Sequence, residues 1–452
     1  MAKKEIVEPA TRSKEFLSGQ RPLLLSDLTD DERNSAMDAV SKHTSNTRGQ
    51  LAALASPKNL EHKSPEVRQK AKRANRALDE GAVDKPYNHE DAIANTMKHF
   101  ENSAANPRAG ESIHGADFYS QNAEPIHKLI AGHDVPAQTA FEATAKLSNK
   151  NRPGNEKASL TALLNAHEHG SVTYTPEMVD KVHSVIKGSH RIAQEDIGKT
   201  VPFSQVHPQV VAAMTEPAVR ESVSHALHNV DLTGIAKGGM RSNISAAHAT
   251  LQTGTPNDPY TNPKFSSYAM SHAEAPRIGS PEHQEANMRA ANIHDVVSGR
   301  VAGSQHMIDF FGLRDSNEGH LSNTAPTPID LHHRRISYTQ PAGAPYTASG
   351  DLPMTAKGDV ARGDKKVTAA GVEHAVLQDA IHETAKRLQT KHNLQYTVPS
   401  RLVNEGSWAG TREMTGDDTN PMKKESSAAV GEATKEHDRK KANLSKQMDL
   451  FS

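Results

Sequence analysis

The segment Ile329-Asp330-Leu331-His332-His333-Arg334-Arg335-Ile336 sets a carboxylate, two imidazoles and two guanidiniums within eight positions. These groups can hold or move a proton and can neutralise a phosphate. Asp330 comes two residues after Pro328, which predicts a helix N-terminus, where the helix dipole favours a negative charge. It is either a working acid or base there, or a plain helix cap with Arg334 and Arg335 in solvent. The adjacent aromatics Phe118 and Tyr119 have two readings as well. They can stack on a base flipped out of a duplex, or anchor a helix start in the core, which is the commoner role of such a pair. Ser148, with Asn149, Asn151 and Asn155 behind it, has no identifiable base and reads as a helix end with a polar loop. The 26 histidines raise the question of a metal. His167 and His169 flank Glu168, but residues two apart do not share a helical face, and no HExxH occurs. No metal site is expected, and the scattered histidines read as surface residues.

Composition narrows the chemistry. There are no cysteines among the 452 residues, which excludes disulfides, thiolate metal sites and a cysteine nucleophile. Lys+Arg number 53 against 54 Asp+Glu, so any nucleic-acid contact must come from a local patch. Only 35 % of residues are hydrophobic and 4 % aromatic, too few to build a core over the whole length. Apolar runs are short, as in Leu23-Leu24-Leu25, so no membrane span is expected. No apolar stretch follows Lys3-Lys4, so a secretory signal is not expected either.

The elements that must carry these residues read as mainly α-helical. Thr29 with Glu32 forms a capping box, and Ala36, Met37 and Val40 share the face behind it. Thr175-Pro176 is an N-cap with proline at the first helical position, followed by Met178, Val179, Val182, Val185 and Ile186 up to Gly188. Val372, Val376, Ala380, Ile381, Ala385 and Leu388 make a third stripe, against which the only tryptophan, Trp408, is expected to pack. Residues 253–267 and 339–366 read as long loops, and the chain from about Thr415 as a disordered tail. The expected division is a helical region over 1–100, a helical core over 101–414, and the tail over 415–452.

Two stretches carry a resemblance. The first is His114-Gly115-Ala116-Asp117-Phe118-Tyr119 with the helix that ends Ala145-Lys146-Leu147-Ser148. The second is Gly303 to Phe311, then the Asp330 segment, Pro399, Trp408 and Arg412. Their order resembles a family of helical proteins, of unassigned function, from bacteriophages of actinobacteria. The Asp330 segment is more distantly similar to the V-D-T-H-V-x-R-V segment of helix-hairpin-helix DNA glycosylases. That resemblance implies a glycosylase-like helical core and a catalytic carboxylate at Asp330, acting on the glycosidic bond without a cofactor. It also implies DNA contacts from His332, His333, Arg334, Arg335 and Arg300, the last in Ser298–Gly303, which approximates the hairpin. Phe118 and Tyr119 would then be pocket walls. No lysine lies between Arg300 and Asp330, so the implied enzyme is of the monofunctional kind.

The chain printed ends Gln447-Met448-Asp449-Leu450-Phe451-Ser452. This resembles the short motif by which bacterial and phage DNA-processing proteins bind the replicative sliding clamp. Leu450 and Phe451 would fill an apolar pocket while the Gln447 amide makes hydrogen bonds, with Met448 and Asp449 between them. The resulting expectation is a phage DNA-metabolism protein, tethered to the host clamp and working in the bacterial cytoplasm. The alternatives are a non-catalytic protein that binds host replication machinery and a virion-associated structural protein.

Overall fold

The computed structural model describes residues 24–79, 87–105, 125–148, 151, 153–186, 191–254, 263–277, 279–299, 321–337, 359–362 and 365–414. In chain order the principal helices are α1 (Asp30–Leu54), α2 (Pro65–Asp79), α3 (His89–Ala105), α4 (Ala137–Ser148), α5 (Pro153–His169) and α6 (Pro176–Val185). They continue with α7 (Pro208–Met214), α8 (Pro217–Val223), α9 (Leu232–Ala236), α10 (Arg241–Thr253) and α11 (Pro281–Val297), then α12 (Leu331–Ser337), α13 (Ala369–Lys391) and α14 (Ser400–Met414). The fold is mainly helical. Among the described residues, no helix is long and apolar enough to cross a membrane.

The chain divides into two compact units. Asn122–Asn257 with Tyr268–Ala275 forms an inserted unit. Arg21–Gln121 and Pro276–Ser452, from either side of it, belong to a second, split unit. The helices of 24–105 therefore share a unit with α11 to α14.

The split unit is built around α3 and α13. On α13, Val372, Val376, Ala380, Ile381, Ala385 and Leu388 are all buried, as their helical spacing requires. They join Ile93, Phe100, Ile329, Tyr396 and Val403 in one apolar cluster. Each of the Val, Leu, Ile and Phe side chains contributes roughly 1.5–3 kcal/mol by leaving water. The Thr29 capping box closes as expected, with Glu32 accepting from the Thr29 amide at 2.7 Å. α14 lies unusually close to α3. A Cβ on Gly406 would meet the Phe100 ring at 2.7 Å, and one on Gly410 would meet the His99 carbonyl at 2.5 Å. Only glycine permits that approach. In the stretch read as a loop, Asp359–Arg362 and Lys365–Thr368 pair as an antiparallel hairpin, β4 and β5.

The inserted unit packs α4 against α10, α5 against α9, and α7 against α10. Beside these helices lies a three-stranded antiparallel sheet. Its central strand β1 (Ser171–Thr173) pairs Val172 with Val201 of β2 (Thr200–Pro202) and with Leu227 of β3 (Leu227–His228). The Thr175 cap forms as expected, its hydroxyl accepting from the Met178 amide at 3.2 Å. The loop read over 253–267 is shorter than expected. A helix begins at Pro263 and runs to Ala273, and residues 255–262 lie outside the described set.

Candidate functional site

Pro328 and Asp330 end an extended segment that leads into α12, and two helices of the split unit hold that segment. The Thr327 amide donates to Gln378 Oε1 at 2.9 Å, and the Ile329 amide faces His374 Nε2 at 3.4 Å, both on α13. Asn404, on α14, donates its side-chain amide to the Pro328 carbonyl at 3.2 Å. These side chains are buried, so the backbone entering α12 is fixed in place.

Asp330 caps α12, and both of its oxygens are occupied. Oδ1 accepts from the His332 amide at 2.8 Å, the His333 amide at 3.1 Å and His333 Nδ1 at 2.9 Å. Oδ2 accepts from Trp408 Nε1 at 2.6 Å. Burial by itself would raise the carboxyl's pKa. The charge and hydrogen bonds of His333, with help from His332, reverse this and hold Asp330 well below the usual carboxylate range. His333 responds in kind: burial lowers its pKa, but the Asp330 charge wins and the net shift is upward. Its Nδ1 lies 2.9 Å from Asp330 Oδ1, and its Nε2 lies 2.8 Å from the side-chain amide nitrogen of Asn404 and 3.1 Å from the Asn404 carbonyl. The His332 ring stands edge-on to the Trp408 indole, with centroids 5.8 Å apart. The Asp330 side chain keeps 20 % of its surface exposed, so the anion is fixed but not sealed.

The residues read as DNA contacts divide differently from the expectation. His333 is buried beneath Asp330 and cannot reach a phosphate. Arg334 is not solvated. Its Nε lies 3.4 Å from Oε1 of Glu373, a fully buried carboxylate of α13, and only 11 % of the arginine side chain is exposed. A buried carboxylate needs a cation more than the surface does, so the guanidinium turns inward. His332 is half-buried against Trp408. The side chain of Arg335, and all of Arg300, Phe118, Tyr119, Gln447, Met448, Asp449, Leu450 and Phe451, lie outside the described residues.

Trp408 and Asn404 complete the site, and sequence reading assigned neither to it. Trp408 was expected against the α13 stripe, whereas its indole N–H goes to Asp330. The available signal was the Gly406-x-x-x-Gly410 spacing around Trp408, which marks a helix face built for close approach. The histidines also depart from a surface reading. His248 and His382 are buried and reach the carbonyls of Val206 and Ala325, each at 3.0 Å. Burial lowers both to a pKa of about 4, so they remain neutral pins. Among the described residues, no group of three or more His, Asp or Glu side chains is arranged to hold a metal ion.

A second unusual carboxyl lies in the inserted unit. Glu156, in the first turn of α5, is buried, with His272 Nε2 3.5 Å from its Oε1. Burial raises its pKa to about 8, against a smaller opposing effect from the Ser148 hydroxyl. The helix dipole is worth only about 0.3–1 kcal/mol at such a position and does not reverse this.

Compared with known protein families, curated proteins and solved structures, the chain matches none.

Proposed function

We propose that the chain is a DNA-metabolism protein of glycosylase type, in which Asp330 stabilises the cationic sugar that forms as a base leaves. One observation carries the reading: a carboxylate fixed by four donors at a helix N-terminus that still reaches solvent. Such a group is a poor proton acceptor, because its basicity is spent on those donors. As a permanent anion it suits electrostatic stabilisation of an oxocarbenium-like centre. The base would depart with the bonding electron pair, and water would then add to the sugar. No cofactor enters this chemistry. The phage context, the helix-hairpin-helix core and the docking of Gln447–Phe451 on a host sliding clamp rest on the sequence resemblance.

The test is base release from duplex oligonucleotides carrying a panel of modified bases, comparing wild type with Asp330→Asn. Release by wild type and a loss of at least about 100-fold in the variant are expected for a group that stabilises transition-state charge. Trp408→Phe serves as a second variant. It removes one donor but leaves the carboxylate, so it should keep most of the activity. No release from any substrate, or equal release by Asp330→Asn, overturns the enzymatic reading.

The second reading is non-catalytic, with the tail binding replication machinery and Asp330 serving only to join α12 to α14. The occupation of both Asp330 oxygens and the inward Arg334–Glu373 pair favour it. Clamp binding that Leu450→Ala with Phe451→Ala abolishes, without any base release, would select it.

A further inference from the structure

The inserted unit carries a cleft of about 980 Å³ between one face of α5, the end of α8 and the segment 227–237. That volume is at the upper end of small-molecule sites. Small residues, Gly154, Ala158, Ala162 and Gly234, make up part of its lining. A Cβ on Gly234 would strike Ala162 Cβ at 2.7 Å, so α9 lies directly on α5 there.

Three cations, Lys157, Arg220 and Lys237, line the cleft from three different elements. Among the described residues, none of them has an ion-pair partner. Elsewhere in the inserted unit Arg241 pairs with Glu216 at 3.3 Å and Lys199 with Asp196 at 2.9 Å. Two carboxylates also reach the cleft, Glu221 and Asp231. Asp231 is engaged by its own helix, accepting from the amides of Thr233 at 2.8 Å and Gly234 at 3.2 Å. The balance is cationic, and Asn165 and Thr233 add neutral polar groups at the rim.

We propose that this cleft binds a small phosphate-bearing molecule, gripped through its phosphates by Lys157, Arg220 and Lys237. Charge-assisted bonds from the three cations that line one cleft fit a compact polyanion. Among the described residues, no aromatic side chain lines the cleft, so recognition works through phosphate rather than by stacking on a base. Glu221 and Asp231 beside the cations would oppose an extended nucleic-acid backbone, which calls for a continuous basic track. This site lies wholly within the inserted unit and does not depend on the reading of Asp330.

The experiment is calorimetric titration of the full chain with sodium pyrophosphate, against sodium sulfate at matched ionic strength. Saturable pyrophosphate binding is expected, weakened about tenfold or more by Lys157→Gln with Lys237→Gln and retained by Lys157→Arg. A direct reading on wild type accompanies it: pyrophosphate should protect Lys157 and Lys237 from an amine-reactive reagent. Absence of saturable binding, equal binding by the double variant, or no protection overturns the proposal. A single-stranded oligonucleotide that displaces pyrophosphate would assign the phosphate to nucleic acid and overturn the small-molecule assignment.

Discussion

Asp330 in the split unit and Glu156 in the inserted unit are both carboxyls near helix starts, yet they are driven in opposite directions. Asp330 meets four donors, one of them the His333 imidazole, and stays ionised. Glu156 is buried, with His272 Nε2 3.5 Å away and the Ser148 hydroxyl only partly offsetting the burial, and holds its proton up to about pH 8. What separates them is the number of donors aimed at the oxygens, set against the cost of leaving water. The difference has consequences for pH. Asp330, with its folded pKa depressed, contributes stability above its unfolded value and loses it as the solution becomes more acid. Glu156, with its folded pKa raised, contributes stability below its unfolded value and loses it as pH rises toward 8.

The largest expected effect breaks the Asp330 side of this comparison. In Asp330→Asn the amide must turn its NH₂ either toward two backbone N–H groups and His333, or toward the Trp408 N–H. Donor then faces donor in either rotamer, and His333 loses its carboxylate partner. We expect a loss of about 3 kcal/mol in urea unfolding at pH 7, with a shift in the emission of the single tryptophan. A loss under about 0.5 kcal/mol would show that the four donors are satisfied by water in solution, and the contrast with Glu156 would lapse.

The next effect is on Glu156. Between pH 6.5 and 8 the unfolded chain has released this proton and the folded chain still holds it. Wild-type stability should therefore fall, by about 2 kcal/mol across that window, relative to Glu156→Gln. The variant keeps the neutral shape and has nothing to ionise. Buried His99, His248 and His382, each near pKa 4, and Lys146, near 8, titrate too. Those contributions are common to both proteins and cancel in the difference. A difference that stays flat with pH would place Glu156 in water.

These two sites mark how far the sequence could be read. The Thr29 capping box, the Thr175-Pro176 cap and the α13 stripe were legible because each is a local pattern within a dozen residues. Asp330 as a helix cap was legible for the same reason. Its partner Trp408, 78 positions on, was not, because nothing near either residue specifies the other. Only the Gly406–Gly410 spacing hinted that α14 comes close to a neighbour. The direction of Arg334 depended on Glu373, whose burial follows from packing rather than from its neighbours in sequence. Glu156 was invisible in the same way: a glutamate in a first helical turn normally looks solvated. The insertion of one unit into the other left little mark on composition, since its boundaries are set by contacts between distant segments.

The smallest effect sharpens the comparison most finely. The Ser148 hydroxyl pulls the Glu156 pKa down against the larger effect of burial, and it donates to the Thr144 carbonyl at 3.0 Å. Ser148→Ala removes one small donor from a site that already lacks donors. The carboxyl should then ionise at a higher pH than in wild type, with stability at pH 6 changed by less than about 1 kcal/mol. Titration followed by the carboxyl carbon resonance of Glu156 measures the first quantity, and urea unfolding the second. If donor count is what separates the two carboxyls, the midpoint must move up, because Glu156 then lies still further from the condition of Asp330. A midpoint that stays in place would mean burial alone fixes Glu156. The difference between the two sites would then be one of solvent access rather than of hydrogen bonding.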